Sequence, residues 1–174
     1  DIDLAVFTSL DGNPPPEDYE VAGGSLAFDL QIHDIDLMFW LLGGRPVRVE
    51  CTTKPAACLG GGTDLLVTTV ELSSGPVCVL TAKRLNPGGC QVGARLTGSA
   101  DDLDTTSWQE PGPHLDFLDR YHDAYIAEAE DFLRLLHGEA DSLATWSDGA
   151  RAEDLCASID ALLADATKEM AHAG

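Results

Sequence analysis

The sequence predicts an α+β domain, with an open, largely antiparallel sheet and helices packed on one face. Three observations predict it. Four β-branched or alternating runs follow one another at 46–53, 65–72, 77–84 and 91–97, linked by turns and short loops. Residues 23–43 are apolar around most of a helical circumference. From residue 115 onward the apolar spacing becomes three and four. The order strand, helix, strands, helices places the helices on one side of the sheet.

The chain opens with a strand-like run at 2–9, IDLAVFTS. Residues 10–19 follow as a rigid loop, because Pro14, Pro15 and Pro16 favour extended polyproline geometry and exclude a helix. Next comes the longest apolar run, GGSLAFDLQIHDIDLMFWLLG, which starts and ends on glycines. On a helix, Asp29, His33, Asp36 and Trp40 fall within about 40° of one line. Leu26, Phe28, Leu30, Ile32, Ile35, Leu37, Met38, Phe39, Leu41 and Leu42 cover most of the rest. A helix apolar nearly all round is expected to be buried, and its polar stripe then needs a reason. Gln31 and Asp34 lie off that stripe.

The four runs after this helix read as a meander, with Ser73-Ser74-Gly75 and Asn86-Pro87-Gly88-Gly89 as turns and a short fifth run near 103–106. A helix is expected over 115–137 with Gly138 as its C-cap, and Tyr125 on its apolar face packs into the core. A last helix starts near Ser147, the N-cap candidate, with Ala152, Leu155, Ile159, Leu162, Leu163 and Ala166 facing inward. Apolar residues occur on both faces of the strands, so the second sheet face is expected to meet another copy of the chain.

At 174 residues with 44% hydrophobic content, the chain suits one domain with a real core. Charges interrupt its best apolar run before it reaches a membrane span. No basic leader is visible, and the start at Asp1 without Met suggests a fragment or a processed chain. The formal charge is −20, and residues 99–174 hold 18 of the 30 acids. That polarity argues against nucleic acid or anionic membrane as partners. The five cysteines show no CxxC pair, so reduced, buried thiols in a reducing compartment such as the cytoplasm are expected, and no zinc site.

The stripe carries the chemistry. Asp29 and His33 are spaced i, i+4, and His33 and Asp36 i, i+3, so each pair is in reach on a helix. A carboxylate beside an imidazole selects one tautomer and raises its basicity, as a general base needs. A satisfied core histidine with Asp29 as a local cap stays open on spacing alone, and so does a divalent-metal site. His114, His122 and His137 read as solvated, and Lys83-Arg84 as a surface pair. Gly60-Gly61-Gly62 has no helix after it, no GxGxxG occurs, and no serine or cysteine nucleophile motif is present.

Three stretches then carry a resemblance. TSLDGNPPPEDY at 8–19 is similar to a TSRDPxPPPxxY loop, GGSLAFDLQIHDID at 23–36 to a GGxxxDxxIHDxD motif, and DRYHDAYIAE at 119–128 to an F-x-x-AY-x-x-E helix. Together they resemble the C-terminal domain of the glucose–fructose oxidoreductase / inositol dehydrogenase (Gfo/Idh/MocA) family, over nearly the whole chain. The resemblance implies that His33 takes the proton of a substrate hydroxyl while hydride leaves the same carbon for NAD or NADP. It implies that Asp29 orients His33, that Asp36 hydrogen-bonds a sugar or cyclitol hydroxyl, and that an N-terminal Rossmann half holding the dinucleotide is absent from this chain. Without that half the chain is expected to catalyse nothing. Leu10 stands where such members carry arginine, and Cys90 roughly where inositol-type members often carry a substrate-facing tyrosine. The alternative is a stand-alone dimerisation or ligand-binding module with no redox activity.

Overall fold

A computed structural model describes residues 1–12, 24–55, 63–105, 121–139 and 144–172. Six strands, β1 (Ile2–Leu10), β2 (Pro46–Pro55), β3 (Thr63–Leu72), β4 (Val77–Lys83), β5 (Gln91–Gly98) and β6 (Asp102–Asp104), form one sheet. The helices are α1 (Ile32–Leu42), preceded by a π turn at Ala27–Gln31, then α2 (His122–Leu136) and α3 (Trp146–His172). The α+β class holds. The expected proline-rich loop falls mostly outside the described residues, as do residues 106–120.

The sheet is not a plain meander. Its order is β2-β3-β4-β1-β5-β6, and β1 runs parallel to β4, while all other pairs are antiparallel. After β1 the chain carries its helix across one face and re-enters at the far edge as β2. The β2-β3-β4 hairpins then walk back until β4 lies beside β1. A strand apolar on both faces belongs inside a sheet, and β1 alternates Leu4 and Val6 with Ala5 and Phe7.

Register puts the core residues in line. Phe7 lies between Leu80 and Ala94, and Ala5 between Cys78 and Leu96. Leu66, Thr68 and Val70 of β3 continue that face. Onto it pack Leu26, Ala27, Ile35, Met38 and Phe39 from the first helix and Ala152, Leu155, Cys156 and Ile159 from α3. The opposite face, with Val6, Val67, Val79 and Thr81, is only partly buried.

Local chemistry sets the helix ends. Gly43 (φ 61°) closes α1 by donating its N–H to the Phe39 carbonyl. Gly138 (φ 72°) and Glu139 donate to the carbonyls of Leu135 and Arg134, the double bond of a Schellman cap. At α3 the cap is Thr145 rather than Ser147. The Thr145 hydroxyl accepts from the Asp148 N–H at 3.4 Å, and the Asp148 carboxylate accepts from the Thr145 N–H at 2.8 Å. This is a reciprocal capping box, and it holds the Asp148 carboxyl below the usual carboxylate range.

Three burial expectations are corrected. Tyr125 on α2 is 46% exposed, and Phe132 and Leu136 are exposed with it, so α2 buries none of its residues against the described parts of the chain. Leu162 and Ala166 of α3 are exposed. Cys90 is exposed in its loop, while Cys78 and Cys156 are buried and Cys51 is half-buried. Burial pushes the Cys78 thiol up to about 11 and that of Cys156 up to about 12.

Candidate active site

The helix over the sheet is turned so that His33 and Trp40 of its polar stripe face solvent. His33 and Trp40 are exposed, Trp40 by 79%, and Asp29 and Asp36 are partly covered. The sequence expectation of a stripe buried in a wholly enclosed helix is therefore corrected. The sheet takes up one side of the helix, and the polar residues on that side are Gln31 and Asp34.

Each of these two is handled differently. The Gln31 amide donates to the carbonyls of Leu66 (3.2 Å) and Leu80 (3.1 Å), and its oxygen accepts from the Thr68 hydroxyl at 2.8 Å. It thereby ties the helix to β3 and β4 with its hydrogen-bonding capacity satisfied. Asp34 is 3% exposed and has one carboxylate oxygen without a partner among the described residues. Burial pushes its carboxyl up to about 7, against the opposing pull of a hydrogen bond with Ser9.

Asp29 sits within the π turn, where Ile32 N–H reaches back five residues to the Ala27 carbonyl. Such turns are frequent at functional sites. The i, i+4 spacing points to His33 as its partner; the structure gives it Arg84. The Arg84 Nε and Nη2 both donate to Asp29 Oδ2, at 3.2 and 2.8 Å. The Arg84 side chain is 2% exposed and that of Asp29 16%. The reading of Lys83-Arg84 as a surface pair is thus half wrong. Lys83 reaches Asp64 at 2.9 Å with part of its side chain in solvent, whereas Arg84 is enclosed. Strand alternation carries the signal: Cys78, Leu80 and Ala82 point under the helix, and Arg84 continues that parity.

His33 opens one turn beyond Asp29. It is exposed, and no hydrogen bond to its ring occurs among the described residues. Asp36 follows on the same side and lines a cleft with Trp40, Asp148 and Arg151. Arg151 is held there, its guanidinium 3.7 Å above the Phe39 ring and hydrogen-bonded to the Gly44 carbonyl. Among the described residues no group of three or more His, Cys, Asp or Glu side chains is placed to hold a metal ion. No helix there is long and apolar enough to cross a membrane. The arrangement sets the Asp29 and Asp36 carboxylates on either side of an exposed imidazole along one helix.

Residues 4–103 match the model of the GFO/IDH/MocA C-terminal domain. The chain is 31% identical over 161 residues to the myo-inositol dehydrogenase Hyg17 of Streptomyces leeuwenhoekii, covering 84% of this chain and 50% of that protein. It is 27% identical over 169 residues to the inositol 2-dehydrogenase of Rhizobium meliloti, covering 87% of this chain and 51% of that one. The crystal structure of a protein from Sinorhizobium meliloti assigned as a myo-inositol dehydrogenase superposes with a TM-score of 0.84 at 25% identity, over 94% of this chain and 55% of that chain. The chain spans about half the length of these relatives.

Proposed function

The chain belongs to the GFO/IDH/MocA family through its C-terminal domain, and on that premise we propose that it is the substrate-binding half of an NAD- or NADP-dependent dehydrogenase. Its substrate is a sugar or cyclitol, oxidised at a secondary hydroxyl. Relatives named as inositol dehydrogenases, about twice as long as this chain, support that reading. So does the exposed His33 imidazole with the Asp29 carboxylate one turn before it, the observation that carries it most. The His33 ring is exposed, which suits a neighbouring dinucleotide-binding half. The chain has no GxGxxG of its own, so the dinucleotide would be held mainly by that other half and would supply the hydride acceptor.

This chain's residues would handle the proton and the substrate. A ring nitrogen of His33 takes the hydroxyl proton as a general base. Asp29 presents negative charge one turn away and stabilises the imidazolium that forms. Asp36 accepts a hydrogen bond from a second substrate hydroxyl. The partly buried sheet face with Val6, Val67 and Val79 packs against a second copy of the chain. The enclosed, high-pKa thiols of Cys78 and Cys156 suit a reducing compartment such as the cytoplasm.

The test uses the full-length protein encoded with this chain. It is assayed for NAD and NADP reduction with inositol isomers and with hexoses. Turnover of one of these polyols is expected, and none across the series would overturn the reading. His33→Ala should lower kcat by about 10²-fold or more with the fold retained. Unchanged turnover with lowered stability would instead make His33 a structural residue.

A further inference from the structure

Arg84 is the largest side chain wholly enclosed among the described residues, and the proton and substrate steps above do not touch it. A buried guanidinium is costly unless paired and hydrogen-bonded. Here two of its nitrogens converge on a single oxygen of Asp29. The planar fork has few ways of making both bonds at once, so it constrains where that oxygen lies.

Two backbone irregularities meet at this ion pair. Asp29 belongs to the π turn, and the residue after Arg84, Leu85, is left-handed at φ 55°. A leucine in that region is strained, and such strain persists only where its surroundings over-determine it. They do so here. The Arg84 N–H donates to the Asp64 carbonyl at 2.9 Å, the Arg84 carbonyl accepts from Lys83 Nζ at 3.0 Å, and Asp11 N–H binds the Lys83 carbonyl at 2.8 Å. The root of the side chain is therefore fixed by the sheet, and its tip fixes a carboxylate on the helix above.

We propose that Arg84 is a positioning residue that sets the place of the Asp29 carboxylate one turn before His33. Its catalytic consequence rests on the dehydrogenase reading; its geometric content does not. Lysine at this position keeps a charge and loses the fork, so Arg84→Lys separates positioning from mere neutralisation.

In the full-length protein, R84K and R84Q are compared with wild type for kcat, KM for polyol and for dinucleotide, and melting temperature. R48M, at an exposed arginine, is the control. The carbon resonance of the Asp29 carboxyl, assigned by its loss in D29N, is followed in parallel. R84K is expected to lower kcat by about 10²-fold, the scale of a small misplacement of a reacting group. The dinucleotide KM should stay within about twofold, since the dinucleotide sits mainly on the other half. The Asp29 resonance should shift in R84K and R84Q and not in R48M. The double variant D29N/R84Q should lose no more kcat than the worse single one. Retained kcat in an R84K that only melts lower, or an unmoved Asp29 resonance, overturns the proposal. If both Arg84 substitutions prevent folding, D29N decides through the Arg84 Nε–H, whose slow exchange should be lost; slow exchange retained overturns the proposal. If the wild type oxidises no polyol, the resonance still decides. A shift then upholds the Arg84–Asp29 link while the dehydrogenase reading falls.

Discussion

Asp34 ties the stability of this domain to pH through one carboxyl. Its folded pKa is raised from 3.8 to about 7, so the folded state keeps a proton that the unfolded chain gives up. Stability from this group is therefore full below about pH 4, falls as pH rises towards 7, and is flat above that. At about 1.4 kcal/mol per unit the loss has a ceiling of about 4 kcal/mol. Asp34→Asn should melt at a higher temperature than the parent at about pH 8, and the gap should close towards about pH 4. Melting curves at several pH values check it, and a gap independent of pH would contradict it. At this scale spacing along one helix was readable in the sequence and partners across the fold were not. His33 and Trp40 of the stripe are exposed, whereas Asp29 turns to the enclosed Arg84. Which side faced the sheet was hidden, because the helix is apolar all round and periodicity then picks no direction. Gln31 and Asp34 therefore looked incidental although they meet the core. Arg84 was concealed by its polarity and given away only by the parity it shares with Cys78, Leu80 and Ala82.

At the scale of elements, the cap of α3 offers a clean contrast. Thr145→Ala removes one half of the reciprocal box and should lower the melting temperature by about 2–4 °C. Ser147→Ala should leave it unchanged. Equal effects from both would contradict the assignment of Thr145 as the cap. Strands were readable because alternation is a property of the strand itself. Their neighbours were not, since nothing local to β1 says that β4 will lie along it in parallel. The π turn escaped for a related reason, as one added residue barely disturbs an apolar pattern already continuous around the helix. The exposed apolar residues of α2 make the complementary case. Period told correctly that Tyr125, Phe132 and Leu136 share a helix, and it carries no information about what covers them.

Among the described residues, one face of the sheet is covered by α1 and α3 and the other carries partly buried β-branched residues. If that second side meets another copy, Val67→Glu with Val79→Glu should convert the full-length protein to monomers in sedimentation while each copy stays folded. An unchanged sedimentation coefficient would exclude this face as the contact. The central position of β1 has a further consequence, for the order of folding. β2, β3 and β4 are linked by short connections and can zip up locally, as can β5 and β6. The two sets share no edge except through β1, whose partners lie 73 to 96 residues downstream. Closing so long a loop carries an entropic cost before any contact rewards it, so this step should limit the rate. Pulse-labelled hydrogen exchange during refolding should find β3 amides protected first and those of β1 and β5 later, together. The earliest segment of the chain would thus be the last to dock, acting as the seam that joins two preformed halves of the sheet.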